Sequence, residues 1–304
     1  MPPAADVLPR LRPAQDRRIL GVETKAPKRG AVVIRPLTIS SLTLGEAPFR
    51  ERIQAAASAG FQAVGLSVEA YREARRTGLD DSAMQAILDE HGIALSEVEF
   101  LSDWAPVGGA EIPSPKEETA FHIARAFGAD HINSGLFEPT PMEVMADGFA
   151  ALCERAGELR IALEYMPFGA VPDLPTAWEL VRRTARPNAG LVLDVWHWVR
   201  GATSAADLAA VPPGRIFTVQ LCDVGPDPLA DMRQESLHRR LVPGSRTRAA
   251  EDLLTLLAEH GVKTTVSAEV MSDALLSQGP GATARAVFAG TRAVLAGHTA
   301  VCAD

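Results

Sequence analysis

Short runs of β-branched and apolar residues alternate with amphipathic stretches rich in Ala, Leu, Glu and Arg, and this alternation constrains the fold more than any other feature of the chain. The runs occur in AVVIRPLTIS, FQAVGLSV, IALSEVEF, ADHINS, RIALEY, GLVLDV, IFTVQL and TTVSAEV, which makes eight candidate strands. Between them, apolar positions at helical spacing predict helices over 47–59, 71–91, 116–127, 141–159, 175–184, 204–210 and 248–260, with a last helix over 282–296. Gly92 and Gly128 follow two of these stretches, at the position just past a helix end where glycine is favoured. A strand that returns to its sheet through a helix lies parallel to its predecessor, so eight such units predict an α/β fold, a single (β/α)8 TIM barrel.

The barrel is expected over 31–304. Residues 1–30 carry several Pro and Arg without sustained periodicity and read as an N-terminal extension that is mobile or packs over the barrel or a partner subunit. Arg17-Arg18 is followed almost at once by Glu23, Lys25 and Lys28, which leaves no apolar segment for a targeting signal. No run of about 18 apolar residues is present, so no membrane role is expected. The three cysteines, Cys153, Cys222 and Cys302, lie far apart and outside any metal-knuckle spacing, which points to a reducing, cytoplasmic location. A net charge of −8 disfavours an extended nucleic-acid surface.

In a parallel barrel all strand C-termini open on one face, where catalytic groups collect. Four consecutive candidate strands run into polar side chains there: Glu164 in RIALEY, Asp194 in GLVLDVWH, Gln220 in FTVQLCD and Glu269 in TVSAEV. Any one of them alone reads more readily as a helix cap or an ion-pair partner. Four in adjacent units make one oxygen-rich site for a hard divalent ion, Mg2+ or Mn2+, with Co2+ or Zn2+ as alternatives. A structural zinc site would instead use Cys and His. The segment CDVGPDPLADMRQESLHRRLVPGSRT after the seventh strand is much longer than the other connections, and it is read as a substrate-covering loop.

The segments LEY, LDVWH, VQLCD, RRLVPG and SAEV give the chain a specific resemblance to the xylose isomerase-like TIM-barrel superfamily, from about Thr38 to Glu269. That superfamily includes sugar-phosphate isomerases and epimerases, ketose 3-epimerases, inosose dehydratases and 3-dehydroshikimate dehydratases. The resemblance implies that Glu164, Asp194, Gln220 and Glu269 are the metal ligands, that His197 contacts substrate beside the metal, and that Arg240 contacts substrate oxygens. It also implies a homo-oligomer, a dimer or tetramer. Gln220 stands where the ketose epimerases carry His. Met166-Pro167-Phe168 stands where dehydroshikimate dehydratases often carry a second acid–base residue.

Further candidates are weaker. Glu99 ends the third strand as a pocket acid or an arginine's partner, and Trp196, with Trp104 and Trp198, is a candidate apolar wall for substrate. Arg233, Arg239 and Arg246 read as a solvated basic loop, and His131 lies too early in its strand to reach the mouth. The expected activity is that of an isomerase or epimerase taking a proton α to the carbonyl of a ketose, sugar phosphate or cyclic polyol ketone. Glu164 and Glu269 are the proton-transfer groups and His197 a further acid. A dehydratase with the same first step is the alternative, and a non-catalytic ligand-binding barrel is the reading without chemistry. A DNA-repair relative would use three metals and many histidines, which this chain lacks.

Overall fold

The computed structural model describes residues 36–106, 112–296 and 298. The expected 1–30 extension and the first half of the AVVIRPLTIS run lie outside the described residues. The chain runs β1 (Leu37–Ile39), α1 (Phe49–Ala59), β2 (Ala63–Ser67), α2 (Val68–Arg76), α3 (Asp81–His91), β3 (Ala94–Leu101), α4 (Pro115–Phe127), β4 (His131–Ser134), α5 (Met142–Ala156) and β5 (Arg160–Glu164). It continues through α6 (Leu174–Thr184), β6 (Ala189–Asp194), α7 (Val195–Arg200), α8 (Ala205–Ala209), β7 (Ile216–Leu221), α9 (Met232–His238), α10 (Ala249–Glu259), β8 (Thr265–Ala268), α11 (Asp273–Leu276) and α12 (Pro280–Ala296). The strands pair in chain order, and β1 joins β8 in parallel to close an eight-stranded barrel.

β6 and β7 are buried at every position, as expected for strands covered by helices outside and by side chains within. Near the N-terminal end of the strands, Gly190 is required because a Cβ there would meet the Phe217 ring at 2.4 Å. The Arg160 guanidinium covers that ring at 3.8 Å.

The expected helices appear, with one division. The 71–91 stretch is two helices, because Gly78 adopts φ 95 and the Asp80 side chain accepts the Ala83 N–H at 2.8 Å, capping a new start. Periodicity alone runs through this break, since both halves present apolar faces to the same core. Three short helices, α7, α9 and α11, were not expected.

The long excursion after β7 is tied down at both ends. Asp223 and Leu241 exchange backbone hydrogen bonds at 2.7 and 2.9 Å, and Arg240 N–H donates to Met271 at 3.0 Å. The buried Asp223 carboxylate accepts the backbone N–H groups of Arg246 and Thr247 at 2.7 and 2.9 Å, and the Thr247 hydroxyl as well. Across the mouth, Arg200 of α7 holds Glu235 of α9 at 2.5 Å. No helix among the described residues is long and apolar enough to cross a membrane.

Candidate active site

The register of the barrel brings the strand-end residues together. Glu164 ends β5, Asp194 ends β6 opposite Gln220 of β7, and Glu269 follows β8. All four are buried. Asp194 does two things: its Oδ1 accepts the His197 backbone N–H at 2.9 Å as the N-cap of α7, and its Oδ2 accepts Arg240 Nη1 at 2.7 Å. The Asp-x-x-His spacing is thus cap to third helical residue, and it turns the imidazole back over the strand ends. His197 Nε2 comes within 3.3 Å of Glu164 Oε1, while its Nδ1 has no partner.

Glu164, Asp194 and His197 each offer a ligand atom, all within 4.8 Å of one another. Glu269 is oriented differently from the expected set. Its Oε1 accepts Gln220 Nε2 at 3.1 Å and the Ser40 hydroxyl at 3.2 Å, and its Oε2 accepts Arg240 Nη1 at 2.9 Å. The same Nη1 lies 2.7 Å from Asp194. Arg240 was expected to contact substrate; instead its guanidinium bridges two carboxylates and is anchored by the Ser236 carbonyl and hydroxyl at 2.9 and 3.1 Å, while still lining the cavity.

The donor set fits a divalent cation. Glu97, Glu99, Glu164, Asp194 and Glu269 are all buried around the pocket, and Arg240 is the cation set among the last two. Gln220 Oε1 is buried with no hydrogen-bond partner, a lone acceptor beside those carboxylates. Burial above all, with the nearby carboxylates of Asp194 and Glu97, pushes the Glu164 and Glu269 carboxyls up to about 8, although Arg240 opposes the rise. Burial lowers His197 to about 4, so its imidazole is neutral. Desolvation, with Glu97 and Glu269 nearby, raises Glu99 well above the usual carboxylate range.

The cavity above these groups, about 120 Å³, suits a small molecule and is lined by Glu99, Glu164, His197, Gln220, Arg240 and Glu269 at its polar end. Trp196 is not part of that lining. Its indole is fully buried and packs against His197 at 5.2 Å, edge to face, so the expected substrate wall is a support for the histidine. The wall is built instead from Phe100, Phe137, Met166 and Phe168.

Sequence reasoning passed over several neighbours. Ser40 lies 3.2 Å from both Glu99 and Glu269 and links them. Glu97, two residues before Glu99 and therefore on the same strand face, sits 3.4 Å from His131 deep in the barrel. Asn133 lines the cavity with both amide atoms buried and unpartnered. Alternation in SEVEF was signal enough to find Glu97; nothing local marks Ser40 or Asn133. Arg233 is exposed, as expected, and also lines the cavity at its mouth.

Comparison with known proteins agrees with this fold. Residues 53–290 match the family model described as xylose isomerase-like TIM barrel. The chain is 30% identical over 168 residues to a 3-dehydroshikimate dehydratase of Pseudomonas aeruginosa, covering 52% of this chain and 26% of that protein. It is 29% identical over 114 residues to an inosose isomerase of Halalkalibacterium halodurans, covering 37% of this chain and 39% of that protein. The chain thus spans about a quarter of the dehydratase's length. Among solved structures, the IolI protein with a bound zinc atom superimposes with a TM-score of 0.75 at 16% identity, over 87% of this chain and 99% of the other. With the matched segment running from α1 to α12 of a closed parallel barrel, the chain belongs to the xylose isomerase-like TIM-barrel family.

Proposed function

We propose that this chain is a divalent-metal-dependent isomerase or epimerase that removes the proton α to the carbonyl of a small ketose, sugar phosphate or cyclic polyol ketone. The observation that carries the proposal is the convergence of two buried carboxyls, Glu164 and Glu269, on one cavity beside a Glu164–Asp194–His197 cluster spaced to hold an ion. Two carboxyls lining one cavity can act as base and acid toward a molecule bound between them.

Glu164, Asp194 and His197, joined by Gln220 Oε1 and Glu269, would hold Mg2+, Mn2+, Co2+ or Zn2+. When bound, the ion supplies electrostatic stabilisation of the oxyanion that forms as the proton leaves. Glu164 takes the proton, since its carboxylate is free of the three hydrogen bonds that engage Glu269. Glu269 returns a proton on the other side, which gives epimerisation or, at the neighbouring carbon, isomerisation. Arg240 holds Asp194 and Glu269 in place. The apolar wall excludes water, so the charge on the reacting groups is poorly screened.

A second reading, dehydration, is favoured by the 3.3 Å approach of His197 to Glu164 and by the similarity to the dehydratase. Glu164, having taken the α proton, would pass it to a β-hydroxyl on the same side of the cavity, which then leaves as water. One experiment separates the readings: incubate metal-loaded protein in D2O with ketoses, inososes and 3-dehydroshikimate, and follow the C–H signals by NMR. Deuterium uptake with conserved mass formula supports isomerase or epimerase; loss of water supports the dehydratase; no exchange with any compound overturns both and leaves a binding barrel.

A further inference from the structure

Arg233 stands out among the cavity-lining residues. It is on α9, in the tied-down excursion over the mouth, and its guanidinium lies 4.8 Å from the centre of the Phe137 ring. Among the described residues no carboxylate lies within ion-pairing distance of it, whereas Arg240 at the floor is committed to Asp194 and Glu269 and Arg200 to Glu235. Between Arg233 and the polar floor the cavity wall is apolar, with Phe100, Phe137, Met166 and Phe168. The cavity therefore has polarity along its length: buried carboxyls at the floor, an apolar waist, and one uncommitted cation at the mouth.

We infer that Arg233 is a specificity-determining residue that binds an oxyanion of the substrate, a carboxylate or phosphate, and orients the molecule with its carbonyl end toward Glu164. At the floor the Arg240 guanidinium is already committed to Asp194, Glu269 and Ser236, whereas Arg233 at the mouth has donors to spare. There the planar guanidinium, steadied on the Phe137 face, presents paired N–H donors to two oxygens at once. This inference deepens the function proposed above and rests on it for the chemistry at the carbonyl end, but not for binding of the anion.

The test uses matched probes that differ in charge: fructose against fructose 6-phosphate, and inosose against 3-dehydroshikimate. Their affinities for the Mn2+-loaded full chain are measured by calorimetry, with Arg233→Gln and Arg233→Lys beside the wild type. The wild type is expected to bind at least one anionic probe about tenfold or more tightly than its neutral partner. Arg233→Gln removes that preference without changing Mn2+ affinity or the binding of neutral probes, and Arg233→Lys keeps part of it. Preference in only one pair identifies phosphate or carboxylate as the group. Equal affinity for charged and neutral probes in the wild type, or equal losses for both in Arg233→Gln, overturns the inference. Charge-selective binding without deuterium exchange would leave it standing while removing the proposed reaction; exchange without charge selectivity would do the reverse.

Discussion

Arg240 and Asp194 form a fully buried ion pair at 2.7 Å, and the same guanidinium nitrogen reaches Glu269. Removing the arginine leaves two buried carboxylates without their cation. Arg240→Leu is expected to lower unfolding free energy by about 3 to 5 kcal/mol, read from urea denaturation in EDTA. Divalent ion should restore part of the loss, because it supplies the missing positive charge. A loss below about 1 kcal/mol would show that the pair is not holding the site together.

The pH dependence of stability follows from the raised carboxyls. Glu164 and Glu269 titrate at about 8 when folded, against an ordinary value of 4.5. Between those values the folded state keeps protons that the unfolded chain has released, so their stabilising effect is complete below pH 4.5 and is lost as pH rises through 8. Thermal melts in EDTA should therefore show falling Tm from pH 5 to 8. With Mn2+ the trend should flatten or reverse, since the ion binds the deprotonated carboxylates and competes with protons. Rising Tm in EDTA over this range would contradict the assignment.

Glu164→Gln keeps the shape of the side chain and removes its charge and basicity. Deuterium exchange should fall by about 10² to 10⁴, and Mn2+ affinity measured by calorimetry should fall as well. His197→Gln should lower Mn2+ affinity as well, because its imidazole is one of the three groups spaced to hold the ion.

Gly65 faces the β3 glutamates: a Cβ there would lie 2.2 Å from Glu99 Oε1 and 3.0 Å from Glu97. Gly65→Ala is expected to cost about 1 to 3 kcal/mol by overpacking, and to displace Glu99 from its hydrogen bonds with Ser40 and Ser41. Chemical denaturation reads the first effect, and a changed pH profile of exchange reads the second.

Asp223→Ala removes the acceptor that closes the excursion at Arg246 and Thr247. Stability should fall by about 1 kcal/mol from the hydrogen bonds lost at these part-buried donors. Limited proteolysis should then cut within 223–246 under conditions in which the wild type is intact.

The barrel was legible because parallel strands and their covering helices leave different periodicities in the sequence, and the converging strand ends followed from that topology. The side-chain partnerships were less so. Whether Glu269 turns toward an ion or toward Arg240, Gln220 and Ser40 depends on contacts among β1, β7, β8 and the excursion, which no single segment encodes. Trp196 illustrates the same limit. Its place after Asp194 suggested the mouth, but the Asp194 cap starts α7 at once and rotates the indole beneath His197. The break at Gly78 was visible as a glycine and was outweighed by apolar spacing on both sides.

Asp194 ends a strand, caps a helix and faces the candidate metal centre, so any shift of its carboxylate moves α7 as a unit. Trp196 and Trp198 travel on that helix, the first buried against the imidazole. Two of the chain's four indoles thus lie within four residues of the aspartate, where a change in what the carboxylate holds is expected to alter their emission.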